Sequence, residues 1–367
     1  MVNKVKEKSG KLIKYIKLEM MFRKKSLFTS KYPELASLWK YKFQQMIRYS
    51  DERVFSIAEE FLAASIEKMK DCEFAVENVH SPILICVIKN DMGKLVQFME
   101  HYRKLGITKF IFLDNMSTDG TYEYLLKQED TVVYRCQNSY LSSRRIAWIN
   151  RIIAEYGIDK WYMVVDSDEF FTYLGAKKYS ISEFIQKVEE KGYKRAGVVH
   201  LDMYPKGSLF ESDSKMDFRE KYCYFDKDTY TLTRIKNGRG IKIKGGPRKR
   251  VFGTDENVSG VRLMYIEKDD IVASSHYTIP FEKSQNVPIY IVSQHYKFID
   301  EKDYDKMIDA VKTEIYSNGS KDYKIYLNTI SENPQVTMYS EEHSLLFMED
   351  NLREIEFLED AFESVKK

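Results

Sequence analysis

The sequence predicts an α/β protein built on a mostly parallel sheet flanked by helices. Three observations carry that expectation. Short apolar runs of strand length alternate with segments whose apolar residues recur at helical spacing. The runs are continuously apolar rather than alternating, as strands covered on both faces are. Several of them stop abruptly in polar and acidic residues, and ligands of such sheets bind at the carboxyl ends of the strands.

Pro82-Ile-Leu-Ile-Cys-Val-Ile88 reads as the first buried strand, running into Lys89-Asn90-Asp91. Met92, Leu95, Val96, Met99 and Tyr102 then recur at helical spacing, and Leu105-Gly106 gives the stop. A second strand, Lys109-Phe-Ile-Phe-Leu113, ends in Asp114-Asn115, and Thr121 opens a further helix. Thr131 to Cys136 is a third strand. Ser142 or Ser143 caps a helix with Ile146, Ile149, Ile153 and Tyr156 on one face and Gly157 past its end. The next strand, Trp161-Tyr-Met-Val-Val165, stops in Asp166, Asp168 and Glu169. Ser180 and Glu183 form a capping box ahead of another helix, and Ala196-Gly-Val-Val-His-Leu201 is the strand that ends in Asp202.

Three acids at the end of a buried strand put costly negative charge at a sheet edge, a cost normally met by a metal ion or a cationic ligand. Asp-x-Asp there offers two oxygen donors to Mg²⁺ or Mn²⁺ and leaves sites for phosphate oxygens. The bland alternative is a helix N-cap with solvated acids. There is no Cys-x-x-Cys pair, no glycine-rich phosphate loop and no Gly-x-Ser-x-Gly elbow, which removes zinc ribbons, common kinases and serine hydrolases.

The stretch Lys89-Asn-Asp through Phe98-Met-Glu-His-Tyr-Arg-Lys-Leu-Gly and Asp114-Asn-Met-Ser-Thr-Asp-Gly-Thr121, followed by Trp161 to Phe171, resembles family-two-like glycosyltransferases of the GT-A fold. The likeness is closer to the subgroup with Asp-Asn-x-Ser-Thr-Asp-Gly-Thr and Asp-x-Asp-Glu-Phe, which is also similar to family 92. Leu201-Asp-Met-Tyr204, Gly245-Gly-Pro-Arg-Lys-Arg-Val-Phe252, Ser275-His276, His295-Tyr-Lys-Phe298 and Asn318-Gly-Ser320 with Tyr323 and Tyr326 look like later motifs of these bacterial enzymes. The resemblance covers roughly residues 80 to 330. It implies metal-dependent transfer of a sugar, usually with inversion, from a nucleoside diphosphate, with a UDP-sugar as the expected donor and a glycan, glycolipid or glycoprotein as acceptor, in bacterial surface polysaccharide or glycan synthesis.

Asp168, with Asp166 direct or through water, is the expected holder of Mn²⁺ or Mg²⁺, and His295 could complete the metal shell, with a backbone-bonded core histidine as the alternative and His276 as runner-up. Asp114 is the expected acceptor for the uracil or ribose, unless it only makes an Asx turn. Asn90, Asp91 and Asn115 fall at the same edge and join the nucleotide set with Asp166. Asp119 is left out, because in Ser-Thr-Asp-Gly it can simply cap a helix. Positive charge for the diphosphate is expected from Arg144, Arg145, Arg248 and Arg250. Inversion needs a general base; Asp202 is the candidate, with Glu211 as the alternative, then Asp213 and Glu169.

With 367 residues and 43% hydrophobic content, the chain can bury a large core. The expected organisation is a helical extension over 1–79, a catalytic domain over 80–300 and a helical region over 301–367, with Tyr304 to Ile315 and Leu345 to Val365 as helices. A net charge of +2 argues against a nucleic-acid binder. Four scattered cysteines, no visible signal peptide and no apolar run near the roughly 18 residues of a spanning helix fit a cytoplasmic protein. The first 30 residues carry nine Lys or Arg against Glu7 and Glu19. Leu12, Ile13, Ile16, Met20 and Phe22 could share a helical face there, so this segment either packs on the core or rests at the inner face of an anionic membrane where lipid-linked acceptors are found. The rival functions are a nucleotidyltransferase or pyrophosphorylase, against which the lack of a glycine-rich basic loop after the first strand speaks, and a non-catalytic sugar-nucleotide-binding protein.

Overall fold

The computed structural model describes residues 2–74, 78–210, 217–235, 240–299, 301–314 and 319–363, with residues 2–8, 240 and 301 described through their backbone only. Four helices come first: α1 (Val2–Arg23), α2 (Leu27–Lys31), α3 (Ala36–Arg48) and α4 (Val54–Ala63). There follow β1 (Glu67–Lys70), β2 (Ile83–Ile88), α5 (Met92–Leu105), β3 (Phe110–Asp114), α6 (Thr121–Lys127), β4 (Thr131–Arg135), α7 (Ser142–Tyr156) and β5 (Lys160–Val165). The chain continues through β6 (Glu169–Thr172), α8 (Ile181–Glu190), β7 (Arg195–Asp202), α9 (Phe218–Lys221), β8 (Tyr224–Asp226), β9 (Tyr230–Ile235), β10 (Gly240–Gly245) and α10 (Pro247–Phe252). It ends with β11 (Ser259–Ile266), β12 (Ile271–Val272), β13 (Thr278–Ile279), β14 (Ile289–His295), α11 (Glu301–Thr313), α12 (Lys321–Glu332) and β15 (Ser344–Leu346).

These elements form two compact units interleaved in sequence. The first is Met1–Met92, Thr108–Val165 and Arg262–Ser284; the second is Gly93–Ile107, Asp166–Val261 and Gln285–Lys367.

In the first unit β4, β3, β2 and β5 lie side by side and parallel. Their residues are buried almost throughout, which is why the sequence shows continuous apolar runs instead of alternation. Antiparallel strands flank these four, β1 on β4 and residues 263–266 of β11 on β5. The expected mostly parallel α/β sheet is therefore present, but the helical extension expected over 1–79 is interrupted by a strand. Glu67–Lys70 is a strand, because it satisfies the open backbone edge of β4. The helices before it have a ring-packed core of their own: Phe61 lies 4.5 Å from Phe28, 4.9 Å from Trp39 and 5.2 Å from Phe43. Lys42, buried on α3, donates to the carbonyls of Glu267 at 2.7 Å and Asp270 at 2.6 Å, tying these helices to the β11–β12 turn.

In the second unit β14 runs parallel to β7 and antiparallel to β6. The capping box on α8 forms as the sequence predicts, with Ser180 and Glu183 bonding reciprocally. Among the described residues 345–363, the helix expected over Leu345 to Val365 does not form. Leu352 lies in a short 3₁₀ turn (Glu349–Glu354), Leu358 pairs with Ile289, Glu359 N–H donates to the Ile289 carbonyl at 2.9 Å, and the Phe362 ring stacks on Tyr179 at 3.9 Å. Leu352, Ile355 and Ala361 are buried without a helix, so helical spacing is not needed to hide them.

Candidate functional site

The loops at the carboxyl ends of β2 and β3 are knitted together within the first unit. Asn90, in the left-handed region at φ 52°, accepts from Thr118 N–H at 2.8 Å, and its own N–H donates to Ser117 Oγ at 2.9 Å. Asp91 N–H donates to Thr121 Oγ1 at 3.0 Å, and Asp119 accepts from Met92 N–H at 3.1 Å and Thr121 Oγ1 at 2.7 Å. Asp119 thus fastens the starts of α5 and α6, the capping role that kept it out of the expected site. Asp114 is fully buried; its oxygens accept from Ser117 N–H at 3.2 Å, the Asx-turn geometry, and Oδ2 lies 3.3 Å from Nε of Arg135 on the neighbouring strand. Asn115 donates to the carbonyls of Cys136 at 3.0 Å and Asn138 at 2.8 Å, and its buried Oδ1 has no hydrogen-bond partner among the described residues.

The acids after β5 belong to the second unit, where strand register builds a chain of charges. His295, at the end of β14, stands opposite Asp202 on β7 and opposite Glu169 on β6. Its Nδ1 lies 2.7 Å from Asp202 Oδ1, and its Nε2 lies 3.5 Å from Asp168 Oδ2. Arg248 closes the other side, with Nε 2.7 Å from Asp202 Oδ2 and its Nη1 on Glu256, which also accepts from Tyr326 OH at 3.2 Å. The turn that delivers Arg248 needs glycine. Gly245 and Gly246 both have positive φ, and a Cβ on Gly246 would meet the Tyr230 ring at 2.8 Å. Pro247 then starts α10.

Burial opposes charge throughout this chain, and the neighbours overcome it. Burial alone would raise the Asp202 carboxyl, but the Arg248 guanidinium and the His295 hydrogen bond pull it down to about 2. Burial would lower His295, yet Asp168 and Asp202 push it up to about 9, which favours the charged ring, with Nδ1 bonded to Asp202 and Nε2 facing Asp168. Against burial, His295, then Lys94 and Lys297, hold Asp168 well below the usual carboxylate range. Asp168 keeps 30% of its side chain exposed, against 1% for Asp202. Glu169 folds back so that Oε2 accepts from Asp166 N–H at 3.0 Å and Oε1 lies 3.5 Å from His200 Nδ1. It shapes the acidic turn.

Several of the expected site residues already have partners within the fold. Asp202, the expected base, has both oxygens engaged in the buried pair. Glu211, its alternative, and Asp213 lie outside the described residues. Arg144 is spent on Glu60, with Nε at 2.9 Å, and on Ser139. Arg250 is spent on the buried Asp226 at 2.8 Å and on the Met338 carbonyl. Arg145 is buried in the first turn of α7, and Arg248 is locked as described. Arginines of this set that answer a buried carboxylate are held from a phosphate by the cost of orphaning that charge. The cations near Asp168 that spacing did not single out are Lys94, which pairs with Asp303 at 2.6 Å, and Lys297, whose Nζ donates to Tyr323 OH at 2.9 Å. Lys297 lies inside the His-Tyr-Lys-Phe motif, and that was the available signal. His276 closes a turn through its N–H on Ser274 Oγ.

Whether a divalent metal fits can be judged from the donors. Among the described residues no group of three or more His, Cys, Asp and Glu side chains is placed to hold a metal ion. An ionised, half-open Asp168 with Asp166 two residues away suits the sparse protein contribution that Mg²⁺ accepts when phosphates supply the remaining oxygens. His295 Nδ1 is engaged by Asp202, so Nε2, 3.5 Å from Asp168 Oδ2, is the nitrogen it would have to offer a metal held there.

No protein family and no curated protein matches the chain. Among solved structures it is similar to S. aureus TarS 1–349, with a TM-score of 0.28 and 11% identity over 69% of this chain and 72% of that one. It is also similar to apo UDP-glucose pyrophosphorylase, with a TM-score of 0.28 and 8% identity over 64% of this chain and 99% of that one. A third is HddC from Yersinia pseudotuberculosis, with a TM-score of 0.26 and 12% identity over 61% of this chain and 97% of that one. No helix among the described residues is long and apolar enough to cross a membrane.

Proposed function

We propose that the chain is a GT-A-type glycosyltransferase that moves a sugar from a nucleoside diphosphate sugar, UDP-linked in the first instance, to a hydroxyl of a glycan, glycolipid or glycoprotein acceptor with inversion. The observation that carries the reading is Asp168, held ionised, partly exposed and backed by the series His295, Asp202 and Arg248.

In this reading Asp168 and Asp166 would hold Mn²⁺ or Mg²⁺, which when bound supplies Lewis-acid neutralisation of the diphosphate. The bond between the anomeric carbon and the diphosphate oxygen breaks as the acceptor oxygen bonds that carbon; the electron pair leaves on the diphosphate and the hydroxyl proton passes to a base. Asp202 orients His295 through Nδ1, and the His295 cation, with Lys94 and Lys297, supports negative charge at Asp168. With both Asp202 oxygens engaged, Glu211 or Asp213 is the proposed group to take the acceptor proton. In the first unit Asp114, Asn115, Asn90 and Asp91 are the proposed nucleoside contacts, and the unpartnered Asn115 Oδ1 is an acceptor that suits a base N–H.

Products separate this reading from its rival. A nucleotide-sugar screen with Mn²⁺ should release nucleoside diphosphate and free or transferred sugar. Formation of nucleoside triphosphate and sugar 1-phosphate on adding pyrophosphate would instead identify a nucleotidyltransferase.

A further inference from the structure

We propose that the outward face of α1 docks on an anionic lipid bilayer. The helix has two apolar faces. Leu18 and Phe22 are buried, with the Phe22 ring 5.9 Å from Phe43, and Glu19 is tied to Lys40 of α3 at 2.9 Å. That face is explained by packing. The other is not: Leu12, Ile13, Ile16 and Met20 are 60%, 66%, 53% and 57% exposed, and Leu27, which opens α2, is 55% exposed.

Residues 12, 16 and 20 recur every four positions with 13 beside them, so they form one stripe, about 12 Å long at the α-helical rise. A continuous apolar stripe facing water is unfavourable and marks an interaction surface. The charge around it selects the occupant. Arg23, Lys24 and Lys25 are exposed where the stripe ends, and the first 30 residues carry nine basic side chains against two acidic ones. A second copy would set this excess of positive charge against itself, whereas an anionic lipid surface neutralises it. The helix carries too much charge to cross the bilayer. An apolar stripe flanked by cations lies instead in the headgroup region, with the stripe toward the acyl chains.

The test is co-sedimentation of the full chain with vesicles of phosphatidylcholine, with and without phosphatidylglycerol. Binding should require phosphatidylglycerol and weaken as salt shortens the Debye length. The combined variant Leu12→Gln, Ile13→Gln, Ile16→Gln and Met20→Gln should lower the partition coefficient about tenfold or more, since it removes the inserted apolar area. Lys24→Gln and Lys25→Gln should each lower it about fivefold at low salt. All these positions are exposed, so circular-dichroism melting should not change. A folded wild type that ignores phosphatidylglycerol vesicles at low salt overturns the proposal, as does a glutamine variant that binds them equally well. A concentration-dependent dimer in light scattering that the glutamine variant abolishes would give the stripe to a second copy instead. None of these outcomes depends on sugar transfer.

Discussion

Replacing Asp202 with Asn leaves the shape of the buried cluster intact and removes its central charge. Asp202 is 1% exposed and bonds Arg248 Nε and His295 Nδ1, each at 2.7 Å. A carboxyl held at about 2 instead of 3.8 gains about 2 kcal/mol in the folded state at neutral pH. Removing one member of a buried pair and stranding the others costs about 3–5 kcal/mol. Arg248 keeps Glu256 in the variant, which moderates the loss. Asp202→Asn should therefore destabilise the protein by about 2–5 kcal/mol, read as a lower urea midpoint at unchanged slope. The pH profile supplies a second signature. His295 is raised from 6.5 to about 9, so the stability it contributes is full below about pH 6.5 and is lost as pH rises through 9. Without Asp202 the imidazole keeps Asp168 alone, and the decline between pH 6.5 and 9 should flatten. A folded Asp202→Asn protein within about 0.5 kcal/mol of wild type, well under the normal cost of such a loss, or wild-type stability that is flat across that window, would refute the reasoning.

Other outcomes follow from the same geometry. Lys42→Met strands the carbonyls of Glu267 and Asp270 and should cost about 1–3 kcal/mol in urea unfolding. His101, whose Nε2 faces the Phe171 carbonyl at 2.7 Å, is lowered by burial from 6.5 to about 4. Its unfolded form binds the proton first, so acidifying from pH 6.5 to 4 should remove stability that His101→Asn no longer loses. Gly246→Ala, with φ at 79° and a Cβ against Tyr230, should cost about 1–3 kcal/mol in thermal unfolding and lower donor turnover by displacing Arg248.

The parallel strands were legible because burial on both faces leaves no polar alternation, and the runs over 83–88 and 110–114 stop where the chain reaches the sheet edge. The capping box at Ser180 was legible because both partners lie within one turn. The charge pairing was not. Asp202 and His295 are 93 residues apart, and their contact exists only through the register of β7 and β14. Arg144 and Arg250 looked available because Glu60 and Asp226, the acids that claim them, lie 84 and 24 residues away. The C-terminal apolar residues kept helical spacing while the backbone found a bridge at Ile289 and a ring at Tyr179, a tertiary choice with no local signature.

Asp168 bears most of the functional account, and a calorimetric titration of UDP tests it most directly, into wild type and Asp168→Asn, with and without Mn²⁺. The account predicts that Mn²⁺ strengthens UDP binding to wild type by about tenfold or more, as expected when a bound cation meets the diphosphate charge. Asp168→Asn, still folded because its side chain is half-open, should bind UDP weakly and without regard to Mn²⁺. A folded Asp168→Asn protein that binds UDP with the wild-type metal dependence, or a wild type that does not bind UDP at all, would contradict it.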